Sequence, residues 1–461
     1  MLQTHGGEPL RTAAPVVRWT VEQVLALAPD EPSRKAGGKL GSAGPWSGAG
    51  CDGSGAVWGL CKGSGSKPYR AVVDTTGPAY RCSCPSRKFP CKHALGLLLL
   101  WASDEAALGR AEVPDWAGEW LDGRRGRAAQ KTEPAGDGAG PADPAAARRR
   151  AERRAERITG GAQELEQRLT DLLRGGLAAA DQSGYGLWEE TAARMVDAQA
   201  PGLAGRVREL GTIPASGPGW PVRLLEECAL LHLLDTAWLG IDRLPEPLAA
   251  TVRTRVGLTA SADGPPVRDH WLVLAQYDTP DGKIVTRRIW LYGRDSGRTA
   301  LLLSFGAAGR SPGQALPVGV SIDAELTPYR GAGQLRADLG GQFGAPVPTG
   351  TPPPGSTATA AVAAYGRALR NDPWLESWPV TLRGVIPVPS GDGWQLVDAA
   401  GDTALPVAPS ALSRPGLWKL VAISGGAPVT VFGECGHRGF DPLAAWAYSS
   451  DDGAAETVPL I

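Results

Sequence analysis

Three of the chain's seven cysteines and one of its five histidines fall in a single short stretch of 461 residues. That stretch reads RCSCPSRKFPCKHALGLLLLW, from Arg81 to Trp101. By position it is Cys82-x-Cys84, six intervening residues, then Cys91-x-His93. Structural zinc takes thiolate sulfur and imidazole nitrogen in a closed tetrahedron. Two ligands separated by one residue point the same way across a strand or tight turn. Cys91 and His93 open an apolar run that predicts a helix, whose free N–H groups favour anionic sulfur. A Cys₃His set leaves no open position for a catalytic water, so the zinc it predicts is single and structural. Two other uses are weaker. Buried thiols acting as small hydrophobes do not suit a stretch with Ser, Lys and Arg between them. A redox dithiol usually spaces its sulfurs by two residues, not one.

The motif CSCPSRKFPCKH resembles the SWIM zinc finger, matching it at Cys82, Cys84, Cys91 and His93. With the preceding WGLCKGSGSKPYR, the first hundred-odd residues resemble bacterial SWIM-containing proteins, and the remainder does so more weakly. The resemblance implies a ββα zinc module that binds nucleic acid or protein, and it does not imply catalysis. No ATPase or nuclease motif accompanies it.

A chain of this length exceeds one ordinary core, so several domains are expected. The formal net charge is −1, which gives no reason to call the whole molecule a polyanion binder. Sixteen tryptophans argue for real cores and against general disorder. The N-terminus has no apolar core of signal-peptide length. The longest apolar run, Ala94 to Ala102, is half the ~18 residues of a membrane span. The sequence therefore predicts a soluble, cytoplasmic protein without membrane contact, whose thiols are kept reduced and free for metal.

The fold class expected is multidomain α+β. An N-terminal region, residues 1–121, holds the finger at about 57–102, as the strands GAVWGLC and YRAVVDTT, the turn TGPAY and the helix after His93. Thr20 and Gln23 predict a capping box before it. Residues 122–144 are Gly, Ala, Pro and charge, and read as a flexible linker. Residues 145–260 read as a helical bundle, with an apolar stripe of Ile158, Ala162, Leu165, Leu169, Leu172, Leu173 and Leu177. Residues 261–461 read as a mostly-β sandwich or barrel-like domain. Its strand candidates include the hairpin DHWLVLAQYDTPDGKIVTRRIWLYG and the segment LWKLVAIS, with one helix, ATAAVAAYGRALRN, between strands. Small, Gly-rich and set off by the linker, the region before Asp122 is expected to have a thin core and to unfold alone when Cys84 is changed to Ser, leaving the helical and β domains intact.

Between Leu60 and His93 stand Lys62, Lys67, Arg70, Arg81, Arg87, Lys88 and Lys92 against Asp74 alone. Phe89, Tyr69 and Tyr80 are interleaved and suited to stacking on bases. Charge compensation of the thiolates explains the same residues without any partner. The leading expectation is nucleic-acid binding, DNA or RNA, through Arg81, Arg87, Lys88 and Lys92; the alternative is a protein-protein adaptor. One exposed face of these cations would favour the first, and scatter the second. An enzyme ranks third: Cys228 with His232, or Cys435 with His437, would make a nucleophile–base pair, but no motif supplies an orienting group or oxyanion hole. The same residues could ligate a second zinc, though neither pair has a partner pair. CKGSGSKPYR lacks the Gly-Lys-Ser/Thr of a phosphate loop and reads as a turn. The run Arg148, Arg149, Arg150, Arg153, Arg154 and Arg157 reads as the solvated end of a long helix or as a phosphate-contacting arm.

Overall fold

The computed structural model describes residues 18–63, 67–86, 88–103, 106, 108–132, 143–177, 184–281, 284–307, 312, 314–331, 333–400, 403–448 and 455–461. Helix α1 (Val21–Leu25) opens with the expected capping box: the Thr20 hydroxyl accepts from Gln23 N–H, and the Gln23 side chain accepts from Thr20 N–H. Asp30 caps α2 (Glu31–Gly38) by accepting from Ser33 N–H at 2.7 Å.

An antiparallel meander follows: β1 (Trp46–Cys51), β2 (Ala56–Cys61), β3 (Tyr69–Asp74) and β4 (Ala79–Cys82). The two strands anticipated from sequence are its middle pair. β1 comes from the Gly/Ser-rich stretch, where short side chains leave no alternation to read, and it forms by pairing with β2. Helix α3 (Lys92–Ser103) is buried without a break from His93 to Trp101. A helix apolar all round must be enclosed on all sides. The small sheet covers one side through Ala71 and Val73, and α2 crosses another. That crossing is close because it is made at Gly37 and Gly96: a Cβ at either would sit 2.5 Å from a leucine carbon. On the opposite face of the small sheet, Trp58 and Val72 pack against Ala117 and Leu121 of α4 (Asp115–Thr132). α4 runs well into the stretch read as linker. Its Arg, Ala, Gln and Lys residues favour helix without marking an apolar period. Residues 133–142 lie outside the described residues.

The bundle contains α5 (Pro144–Gly175), α6 (Gly184–Asp197), α7 (Pro201–Thr212), α8 (Trp220–Leu239) and α9 (Glu246–Val256). Ile158, Ala162, Leu165 and Leu169 of α5 enter its core, as their spacing predicts, while Leu173 is 47% exposed. Trp374, from the β region, joins this core and donates its indole N–H to Leu230 O at 2.9 Å.

Two six-stranded antiparallel sheets make up the rest. The first contains β5 (Val267–Asp281), β6 (Ile284–Gly293), β7 (Thr299–Ala307), β8 (Val320–Pro328), β9 (Ala337–Gln342) and β10 (Val347–Pro348). β5 and β6 are the predicted hairpin. The second contains β11 (Ser377–Ser390), β12 (Gly393–Asp398), β13 (Ala404–Pro406), β14 (Val429–Gly436), β15 (Gly439–Tyr448) and β16 (Ala455–Pro459). They pack as a sandwich: Leu272, Leu274, Trp290 and Leu301 of the first meet Phe432, Leu443 and Trp446 of the second. The helix ATAAVAAYGRALRN is α10 (Ala358–Leu369), which lies on the outer face of the second sheet. So do α11 (Pro409–Leu412) and α12 (Pro415–Ser424). LWKLVAIS, expected as a strand, is thus part of α12. Leu417, Leu420 and Ser424 are its buried residues, a helical spacing, with Pro415 at the start and left-handed Gly425 at the end.

The first sheet also uses its other face. Trp271, Val273, Ile289, Leu291, Ala300 and Leu302 pack into one core with α1, α3 and the small sheet. The finger region is therefore not a separate unit. Its core and that of the first sheet are continuous, which a short apolar helix and a distant strand pair do not disclose in sequence.

Candidate metal centre

Each ligand position follows from local folding. After β4 the chain stays paired to β3, with Ser83 N–H donating to Arg70 O at 3.0 Å and Arg70 N–H to Ser83 Oγ at 2.9 Å. That extended stretch turns Cys82 and Cys84 to the same side. Cys91 immediately precedes α3, and its Sγ accepts from Ala94 N–H at 3.5 Å, as a helix cap does. His93 lies in the first turn, 4% exposed, with its ring 4.7 Å from that of Tyr69. The three sulfurs and one ring nitrogen all lie within 4.8 Å of one another. Cys82 Sγ stands 3.7 Å from His93 Nδ1.

A tetrahedron with Zn–S of about 2.3 Å and Zn–N of about 2.0 Å has edges of roughly 3.5–3.8 Å, so the cluster needs only a small contraction to close on the ion. The electrostatics agree. Hydrogen bonding from Cys82, with help from His93 and Ala94 N–H, pulls the Cys91 thiol down to about 4 against the cost of burial. Cys82 is pushed far up, first by its hydrogen bond to Cys91 and then by burial. Cys84 is also raised, chiefly by burial. Three thiols this close cannot all ionise without a cation among them; a divalent ion removes that conflict. Cys82, Cys84, Cys91 and His93 fit one structural Zn²⁺ and would hold it.

Residues 77–102 match the SWIM zinc finger family. This chain carries a SWIM zinc finger. Residues 153–256, most of α5 and all of α6–α9, match the SWIM-associated four-helix bundle domain. No curated protein and no solved structure matches the chain.

The cations around the finger do not share one face. Arg81 pairs across the sheet with Val72, and Arg70 lies two residues from Val72, so both face α4; Arg70 stands over the Trp116 ring. Lys62 and Lys92 are on the finger side, where they line a groove of about 530 Å³ with Pro32, Ala36, Leu40 and Tyr69. Lys88 is ion-paired with Asp30, the cap of α2. Burial alone would raise the Asp30 carboxyl, but hydrogen bonds from Lys88 and Ser33 bring it below its ordinary value. Arg87 lies outside the described residues. Of the aromatic residues proposed for bases, Tyr69 stacks on His93 and Tyr80 packs against the shared core. Sequence alone does not reveal α2 as one wall of the groove, because nothing in EPSRKAGG marks it as packing beside a motif about fifty residues further on.

The candidate nucleophiles are not assembled. Cys228 is buried in the bundle core, its thiol pushed up to about 11 by burial and then by Glu227. His232 turns outward to Glu166, with Nδ1 2.8 Å from the carboxylate. Burial also raises the Cys435 thiol, and His437 is exposed, 3.5 Å from the Tyr365 hydroxyl. Buried, protonated thiols without a base are weak nucleophiles. Neither pair belongs to a possible metal site among the described residues. Among those residues, no helix is long and apolar enough to cross a membrane.

Proposed function

We propose that the chain is an adaptor that holds a protein segment in the groove between α2 and the finger, with zinc as the structural pin. The observation that carries this reading is the division of the finger's cations over two faces, with Lys88 compensated by Asp30. A phosphate backbone needs a continuous track of free cations. The groove offers instead an apolar floor and two lysines, Lys62 and Lys92, which suits a segment with apolar and acidic side chains. A wall held by a metal site loses little entropy on binding.

The test is affinity capture from a nuclease-treated extract of the source cell, with wild-type chain beside Lys62→Glu/Lys92→Glu and Arg81→Glu. A protein retained by wild type and Arg81→Glu, and lost from the groove variant, supports the reading. Equal capture by all three, or capture abolished by nuclease, refutes it. The basic-face alternative makes a different forecast: Arg81→Ala/Lys88→Ala/Lys92→Ala would weaken DNA or RNA binding and flatten its salt dependence.

A further inference from the structure

Helix α5 starts well before the bundle core. Its apolar stripe begins at Ala155 and Ile158. The first turns carry Arg149, Arg150, Arg153, Arg154 and Arg157 on one side of the helix; Glu152 and Glu156 edge that side, three residues after Arg149 and Arg153, and neither has an ion-pair partner among the described residues. The spacing sets three like-charged pairs at i,i+4: Arg149 with Arg153, Arg150 with Arg154, and Arg153 with Arg157. Each such pair destabilises an isolated helix. Arg149 is answered by Asp143, and Arg154 donates to Gly257 O at 3.2 Å. Arg150, Arg153 and Arg157 are exposed and have no ion-pair partner among the described residues. Nearby arginines are treated differently: Arg253 pairs with Glu246, and Arg255 with Asp372.

We propose that this arginine face binds the phosphate backbone of double-stranded nucleic acid, without reading its sequence. Arg150, Arg153 and Arg157 lie within eight residues, about 10 Å of helix axis, with neighbours roughly 5–6 Å apart at Cβ. A duplex carries one charge per ~1.7 Å of its axis, so a face about 10 Å long lies against several phosphates at once, within reach of long arginine side chains. Guanidinium groups, being planar and weakly hydrated, suit phosphate oxygens better than ammonium groups do. The bundle would then bring the chain to nucleic acid, a role separate from the groove beside the finger and independent of it.

The experiment is fluorescence anisotropy of the full zinc-loaded chain with a labelled mixed-sequence 20-base-pair duplex, from about 50 to 200 mM salt. Wild type is expected to bind with a log–log salt slope near −3, about −0.9 for each of three contacts. Arg150→Gln/Arg153→Gln/Arg157→Gln is expected to lose at least about tenfold in affinity at the low-salt end and most of the slope. Lys62→Ala/Lys92→Ala should bind like wild type. If the Gln variant melts lower, the triple Lys variant, which keeps the charge, reads the same face: it should retain the slope. No binding by wild type at low salt, an unchanged slope in the Gln variant, a lost slope in the Lys variant, or a loss that follows Lys62 and Lys92 would each overturn the proposal.

Discussion

Asp235 of α8 is fully buried in the bundle, and neither of its carboxylate oxygens has a hydrogen-bond partner. Burial, and then the charge of Glu166, pushes its carboxyl up to about 8. The folded chain therefore holds a proton there that the unfolded chain releases near pH 4. Stability from this group is full below that point and is lost as pH rises to about 8, a difference on the order of several kcal/mol. Asp235→Asn mimics the protonated form. We expect it to melt like wild type near pH 4 and several degrees higher at pH 9. Equal melting temperatures at both would show that the carboxylate finds a partner in solution. At the metal, Cys84→Ser should lower zinc content from one equivalent per chain to near zero, as measured by metal analysis. Full retention of zinc would remove Cys84 from the ligand set.

Among elements, α3 shows most directly how the ligands are held. His93 stands in its first turn while Leu95, Leu97, Leu98 and Leu100 fill the core around it. Leu98→Ala, at 0% exposure, should cost about 2–5 kcal/mol, read by thermal melting of the zinc-loaded chain. A cost under about 1 kcal/mol would mean that the helix is not enclosed as described. The same helix explains what could be read from sequence. Its apolar run and its ligands are local, and so were the hairpin of β5 and β6, the capping box at Thr20 and the stripe on α5. Elements defined by their neighbours were less legible. β1 has no alternation of its own, and the apolar spacing of α4 ends at Leu121, before the stretch read as linker. α12 carried helix punctuation in Pro415 and Gly425, but its aliphatic run outweighed it.

In the whole molecule, the first sheet is the middle layer. Along β5, Trp271 and Val273 face the finger's core, and Leu272 and Leu274 face the second sheet. Such a strand reads as a continuous apolar run, and nothing in the run says which distant segment covers which side; this is why the shared core was not foreseen. Metal removal should therefore be felt beyond the finger. After chelation, amide hydrogen exchange should rise in peptides covering Trp271–Val273 and Ile289–Leu291, while peptides covering Leu203–Val207 in α7 stay protected. Faster exchange confined to residues before Asp122 would restore an independent finger.

The middle layer also orders events during synthesis. The finger's apolar surface leaves the ribosome long before β5 and β6, which cover it, because α4 and the whole bundle lie between. At about 5–20 residues per second that interval lasts on the order of ten to thirty seconds. Throughout it the nascent chain carries a leucine-rich core whose side facing β5 and β6 is still uncovered. A holding chaperone, or prompt loading of the metal, has its use in that window, and the full-length chain made without either should aggregate more than one made with both.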